Sequence, residues 1–288
     1  MCGCDGLFML TKCAAPVALS LAVVMCVPSP TGAQGTAADH LTGKLVITGA
    51  STLAPLIAEI GKRFEGLYPT VRIDVQSGGS SRGVADARQG LADIGMVSRA
   101  MKEDERELSA FPVARDGVCP ILHRENPVQT LTDEQVVAIY TGKITNWKAV
   151  GGADAPIIVV NKAEGRSTLE VFLQYFKLKN VDVKAQVVIG ENEQGVKTVA
   201  GNRNAIGYVS IGTAEYDAAH GIPIKLLPIG GVAASTETVQ KGIFPLSRPL
   251  HIVTRTPPVG LVKAFIEYAQ SKAVHDLIRQ QYFVPLAD

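Results

Sequence analysis

The chain has 288 residues, of which 47% are apolar and 19% charged, and its formal net charge is +1. That length can bury one large core or two smaller ones, and that apolar content excludes a disordered chain. A near-neutral balance with no lysine or arginine run argues against a nucleic-acid binder, although local dipoles can still hold a small anion.

The first segment reads as a targeting signal. Residues 14–27 are almost wholly apolar behind Lys12, and Ser29-Pro30-Thr31-Gly32-Ala33 supplies small residues for cleavage after Ala33. The apolar run is short for a spanning helix, so residues 1–33 are expected to be a cleaved signal peptide, with Met1 or Met9 as the start. Cys2, Cys4, Cys13 and Cys26 fall in this segment, which leaves Cys119 alone in the mature chain. One cysteine makes neither an internal disulfide nor a metal cluster, and its apolar surroundings predict a buried thiol.

The remaining chain opens with a strand at 44–48, the tight loop Gly49-Ala50-Ser51-Thr52, and a helix. That helix carries Leu53, Leu56, Ile57, Ile60, Phe64 and Leu67 on one face. A second unit follows: the strand Val71-Arg72-Ile73-Asp74-Val75, the loop Gly78-Gly79-Ser80-Ser81-Arg82-Gly83, and a helix running to Leu91. A third strand covers 93–98, with Arg99 after it, and 101–108 reads as a charged, solvated helix with Lys102 and Arg106 as local partners for its acids. Residues 113–122 are extended and leave the first domain. Thr132 with Gln135 forms a capping box for the next helix, which ends in Tyr140-Thr141-Gly142-Lys143-Ile144-Thr145-Asn146-Trp147, where Trp147 is expected to pack in the core.

A third strand–loop–helix unit has the buried strand 157–160, the loop Asn161-Lys162-Ala163-Glu164-Gly165-Arg166-Ser167-Thr168, and a helix with Leu169, Phe172, Leu173 and Phe176 on one face. A short helix at 196–200, strands at 204–210, 225–227 and 249–254, and closing helices at 259–268 and 271–281 complete an α/β pattern, for which mostly parallel sheets are expected.

The repeated unit carries the functional argument. A polar loop between a strand and a helix start leaves backbone N–H groups unpaired at the positive end of the helix dipole, which suits an anion. Three such loops collect Ser51 and Thr52, then Ser80, Ser81 and Arg82, then Lys162, Arg166, Ser167 and Thr168, while Ser98 and Arg99 end the adjoining strand. Arginine can grip an oxyanion through two donors and lysine acts as a point charge. On that basis Arg166→Ala is expected to weaken binding by about 1.5–3 kcal/mol. The five histidines have no metal-ligand spacing, and no nucleophile elbow, zinc-protease or dinucleotide signature occurs, so no catalytic residue, metal or cofactor is expected.

With these loops, and with Asn204-Ala205-Ile206-Gly207-Tyr208-Val209, the chain resembles the phosphate-binding subunits of bacterial phosphate ABC transporters. The stretch from Leu131 to Trp147 is the most distinctive match, and the resemblance runs from about Leu41 to the C-terminus. It implies a two-domain, type II periplasmic binding protein fold with a central ligand cleft and a hinge. The implied domains are 42–116 with 250–288, and 117–249. It further implies a monomer that takes inorganic phosphate in the periplasm, using hydroxyls and helix-start amides, and delivers it to a membrane permease.

Carried over by position, Ser51, Thr52, Ser80 and Thr168 supply hydroxyls, Ser167 stands where the family supplies a backbone amide, and Lys162 stands where better-known members place an arginine. Two departures stand out. Those members carry a proton-accepting aspartate at the Arg99 position, although Ser-Arg at 98–99 also occurs in a divergent branch; and their Gly-Ser-Gly-Thr becomes Gly165-Arg166-Ser167-Thr168. Glu164 is a candidate replacement acceptor. Another tetrahedral oxyanion (sulfate, molybdate or tungstate), a secreted phosphoesterase using the same cleft, and a surface protein with a vestigial cleft are the alternative readings.

Overall fold

The computed structural model describes residues 41–286; the expected signal peptide and its four cysteines lie outside them. β1 (Gly43–Gly49) leads into α1 (Ala54–Leu67), β2 (Val71–Ser77) into α2 (Ser80–Gln89), and β3 (Ile94–Val97) follows. β4 (Ser109–His123) is a 15-residue strand, succeeded by α3 (Asp133–Tyr140), β5 (Ile158–Lys162), α4 (Ser167–Phe176) and β6 (Val187–Ile189). α5 (Asn192–Ala200), β7 (Ala205–Ser210), α6 (Ile211–Ala219), β8 (Ile224–Leu226) and α7 (Thr236–Gln240) complete the middle of the chain. β9 (Ser247–Thr254) then returns to the beginning, where α8 (Gly260–Ala269), α9 (His275–Gln280) and β10 (Val284–Pro285) close the fold.

The strands join in the order β2-β1-β3-β9-β4-β7-β5-β6, with β8 and β10 on β4. β1 pairs in parallel with β2 and β3, and β5 with β6 and β7, as strand–helix alternation predicts. The centre differs from the expected parallel sheet. β9 lies antiparallel to β3, and β4 lies antiparallel to β7, β8, β9 and β10, because β4 and β9 carry the chain across the molecule in opposite directions.

Two large hydrophobic cores result, with a smaller cluster of Val84, Ala87, Val97, Leu108 and Val253. One gathers Leu45, Ile57, Phe64, Ile94, Leu250, Phe265 and Ile278; the other gathers Cys119, Tyr140, Trp147, Phe172, Val199 and Tyr208. Val284, near the C-terminus, packs into the second core through the pairing of β10 with β4. The ribbon between the cores is short: Arg115 opposes Pro249, Asp116 opposes Arg248, and Gly117 opposes Ser247.

Local signals act as the sequence suggests in several places. Thr132 accepts the Gln135 N–H at 3.2 Å and Gln135 answers at 2.9 Å, while Trp147 is buried with its indole N–H donated to the Asn204 carbonyl at 2.9 Å. Cys119 is buried, and burial pushes its thiol pKa up. The charged helix expected at 101–108 is only a single 3-10 turn, Glu103–Glu105, and Glu105 is buried rather than solvated.

Candidate anion site

The three polar loops converge on one buried cluster between the cores. Gly49, at the end of β1, has φ +133°, and its carbonyl accepts the N–H groups of Gly78 and Gly79 at 2.8 and 2.9 Å. This draws the starts of α1 and α2 together. Gly79 (φ +98°) lies so close to the Gly165 carbonyl that a Cβ would stand 2.6 Å from that oxygen, so α2 and α4 also begin side by side. Neither α1, α2 nor α4 has a side-chain cap, whereas Thr132, Ser210 and Ser235 cap α3, α6 and α7 with their own hydroxyls.

Arg248 is the hub. Its Nη2 donates to the Thr52 hydroxyl at 3.2 Å and its Nη1 to the Thr168 hydroxyl at 3.1 Å, linking the approaches to α1 and α4. Its Nη2 and Nε also donate to Asp116 Oδ2, at 2.8 and 3.1 Å, and Asp116 Oδ1 accepts the Gly212 N–H at 3.2 Å. Beside it, Asn192 Nδ2 donates to the Thr52 hydroxyl at 3.1 Å, while Asn192 Oδ1 accepts from Lys162 Nζ at 2.8 Å. Asn192 opens α5, and the Glu191–Gln194 capping box fixes that helix start. Lys162 is held at the end of β5 by the Tyr208 hydroxyl, which accepts its N–H at 3.3 Å.

Thr52, Thr168, Lys162, Asn192, Asp116 and Arg248 are all buried. Asp116 matches the charge on Arg248, whereas Lys162 meets only the amide oxygen of Asn192, with Glu191 and Glu193 acting on it without an ion pair, which leaves a cation without a direct carboxylate partner in a poorly solvated place. Burial, reinforced by the charge on Arg248, pulls the Lys162 ammonium down to about 7. An anion placed against it would reverse both effects.

Ser80 and Ser167 are buried at the starts of α2 and α4. Ser80 Oγ accepts the Ser98 N–H at 3.1 Å, and the Ser98 hydroxyl is buried with no hydrogen-bond partner among the described residues. Ser51 is half-buried in the turn before Thr52. Ser81 faces the second core, its N–H donating to the Gly165 carbonyl at 3.2 Å and its hydroxyl lying 3.4 Å from Glu170 Oε1.

The three arginines expected in the site have other partners. Arg82 turns outward, pairing along α2 with Asp86 at 3.1 Å, because an acid four residues on is its nearest partner. Arg166 donates to Glu191 at 2.8 Å. Arg99 is buried against Glu105, with two contacts of 2.7 Å, and its Nε lies 2.7 Å from Glu170 Oε2. Burial opposes its charge, but the two carboxylates outweigh that and hold its pKa above the ordinary value. Glu164 is likewise engaged, accepting from Asn180 Nδ2 at 3.0 Å.

Arg248, Asp116 and Asn192 escaped the sequence reading. Asp116 and Arg248 are 132 positions apart, and only the antiparallel register of β4 and β9 sets them opposite each other. The legible signal was charge inside two largely apolar crossing segments, Asp116 beside Arg115 in one and Arg248 in the other. For Asn192 the signal was Glu191 three residues before Gln194, a cap that starts the helix four residues earlier than its apolar face does.

A cavity of about 620 Å³ opens beside the cluster, lined in part by Arg99, Lys102, Glu170, Tyr175, Ser247 and Arg248. Among the described residues no group of three or more His, Cys, Asp or Glu could hold a metal, and no helix is long and apolar enough to cross a membrane.

Residues 32–273 match the family model described as a PBP superfamily domain. The phosphate-binding protein PstS of Bacillus subtilis is 27% identical over 255 residues, covering 87% of this chain and 83% of its own. A crystal structure of a putative phosphate ABC transporter substrate-binding protein from Clostridium perfringens, with bound phosphate, is 31% identical with a TM-score of 0.79, covering 85% of this chain and all of that one. An ABC-type phosphate transport receptor from Vibrio cholerae is 29% identical with a TM-score of 0.70, covering 84% of this chain and all of that one. In fold and in sequence, then, the chain belongs to the periplasmic binding protein (PBP) superfamily, among the substrate-binding proteins of phosphate ABC transporters.

Proposed function

We propose that this protein is an exported binding protein that takes inorganic phosphate between its two lobes and delivers it to an ABC transporter permease. The observation that carries the reading is the buried Lys162, a cation without a direct carboxylate partner, beside Arg248 and set among hydroxyls at helix starts that lack caps of their own. The naming of relatives as phosphate-binding proteins supports the same ligand. In this reading Thr52, Ser80, Ser98 and Thr168 offer hydroxyls, Ser51 and Ser167 offer backbone N–H groups, and Lys162 and Arg248 supply charge. The lobes are 42–116 with 250–288 and 117–249, and they hinge at the ribbon where Asp116 faces Arg248, so that closing on the ligand makes the form that the permease accepts. A monomer suffices, since both halves of the site come from one chain.

A second reading, a binding protein for another tetrahedral oxyanion, is favoured by the engagement of the nearby carboxylates. Asp116 serves Arg248, Glu191 serves Arg166, and Glu170 serves Arg99 and Lys102. Rejection of a fully ionised anion such as sulfate would then fall to a hydroxyl oxygen accepting the phosphate proton. Calorimetric titration of ligand-stripped protein with phosphate and with sulfate decides between the readings. Tight phosphate binding with weak sulfate binding is expected; equal affinities would favour the general oxyanion site, and binding of neither would overturn both.

A further inference from the structure

We propose that Glu170 is a positioning residue that latches the two lobes together over the ligand by docking on a cation pair, Arg99 and Lys102, which the first lobe holds ready. The inference rests on the proposed phosphate reading only for its ligand. Its geometry stands independently of it.

Glu170 lies in the first turn of α4, two residues beyond Thr168, and so belongs to the second lobe. Its Oε2 is 2.7 Å from Arg99 Nε and 2.9 Å from Lys102 Nζ, and its Oε1 is 3.4 Å from the Ser81 hydroxyl; all three partners belong to the first lobe. The first lobe's half of the latch is complete by itself. Glu105 grips the Arg99 guanidinium with both oxygens at 2.7 Å and accepts the Lys102 N–H at 2.9 Å, and Arg99 Nη1 also donates to the Ala100 carbonyl at 3.0 Å. Separating the lobes would leave Arg99 paired with Glu105 while Glu170, already a quarter exposed, returned to water. A contact made from one preorganised side and one solvated side can form and break repeatedly at small cost.

The same helix ties the latch to the ligand. α4 carries both Thr168, bonded to Arg248 within the second lobe, and Glu170, so docking its first turn on Arg99 moves a site hydroxyl and the latch together. The latch also makes sense of Arg99. Its guanidinium is not spent on the cleft, and it gives the opposite lobe a fixed partner.

Electrostatics alone and latching predict effects of opposite sign. Glu170 is an anion near an anion site, so removing its charge would by field effects tighten phosphate binding. If Glu170 latches the lobes, its removal weakens binding by speeding release. The test compares wild type with E170A and E170Q, measuring phosphate association and dissociation rates by rapid filtration, and lobe closure by small-angle scattering. Dissociation is expected to quicken about fivefold, the worth of a partly exposed ion pair, with association unchanged. The scattering profile of the phosphate-bound variants should show a more open molecule.

Unchanged or slower release would overturn the latch, as would release that changed no more than the loss of α4 stability seen by melting of the ligand-free variants. If wild type bound no phosphate, the ligand reading would fail while scattering still read the latch. A larger radius of gyration for E170A than for wild type would support it, and superimposable profiles would overturn it.

Discussion

Arg99 and Arg248 are both almost wholly buried, 4% and 3% exposed, and both sit where the lobes meet, yet their surroundings differ in charge count. Around Arg99, two carboxylates (Glu105 and Glu170) face two cations, counting Lys102, and the account closes at zero. Around Arg248, Asp116 matches the guanidinium charge and the Thr52 and Thr168 hydroxyls take its other contacts, while the neighbouring Lys162 meets only the Asn192 amide oxygen. A neutral buried network is a structural joint. A buried network with a cation lacking a carboxylate partner is open to an arriving anion, which would supply that partner and offset the desolvation of the cation. Arg99, counted among the candidate ligand groups in the sequence, meets two carboxylates, whereas Arg248, which drew no notice there, stands among hydroxyls.

The harshest way to break the comparison is Arg248→Ala. It leaves Asp116 buried without its cation, so a loss of about 3–5 kcal/mol of folding stability is expected by denaturant unfolding, together with loss of phosphate binding. Arg248→Ala/Asp116→Ala together should recover much of the stability but none of the binding. Recovery of binding in the double variant would remove Arg248 from the anion site.

Lys162→Met should spare the fold and weaken phosphate binding by about 1.5–3 kcal/mol, measured by calorimetry. Its pH behaviour sharpens the point. The folded lysine, at about 7, lies below its ordinary value of 10.5, so between those limits the unfolded chain binds the extra proton and Lys162 makes stability rise with pH. A bound anion raises that pKa again, so binding above pH 7 takes up a proton and affinity falls as pH rises through this window. Titrations in two buffers of different ionisation enthalpy should show this uptake at pH 8 in wild type. Uptake that persists unchanged in the Lys162→Met variant would place the titrating group elsewhere.

Much of the scaffold was legible because its signals are local. The apolar face from Leu53 to Phe64, the cap at Thr132, and the hydroxyls of Thr52, Ser80 and Thr168 at helix starts all lie within a few residues of what they organise. What could not be read depends on register across the molecule. Asp116 meets Arg248 only through the pairing of β4 with β9, and Glu170 meets Arg99 only because α4 starts beside the end of β3. The antiparallel centre was hidden for the same reason, since a crossing strand looks locally like any other apolar run. The partners of Arg82, Arg99 and Arg166 were hidden because a loop sequence shows a cation without showing the carboxylate beside it.

Arg166 tests that last point at the small end of the scale. Read in the loop alone it should contribute about 1.5–3 kcal/mol to binding, as a hydrogen bond to a charged ligand does. In the fold its Nη1 is 2.8 Å from Glu191, and the pair is partly exposed, so most of its charge is matched before a ligand arrives. Arg166→Ala should therefore weaken phosphate binding by less than about 1 kcal/mol, and Arg82→Ala, out on α2, should change it by no more than about 0.5 kcal/mol. Calorimetry on the two variants orders them. A full loss of about 1.5–3 kcal/mol for Arg166→Ala would mean that Glu191 releases it when the ligand binds, making Arg166 a third cation of the anion site and Glu191 the group that restrains it.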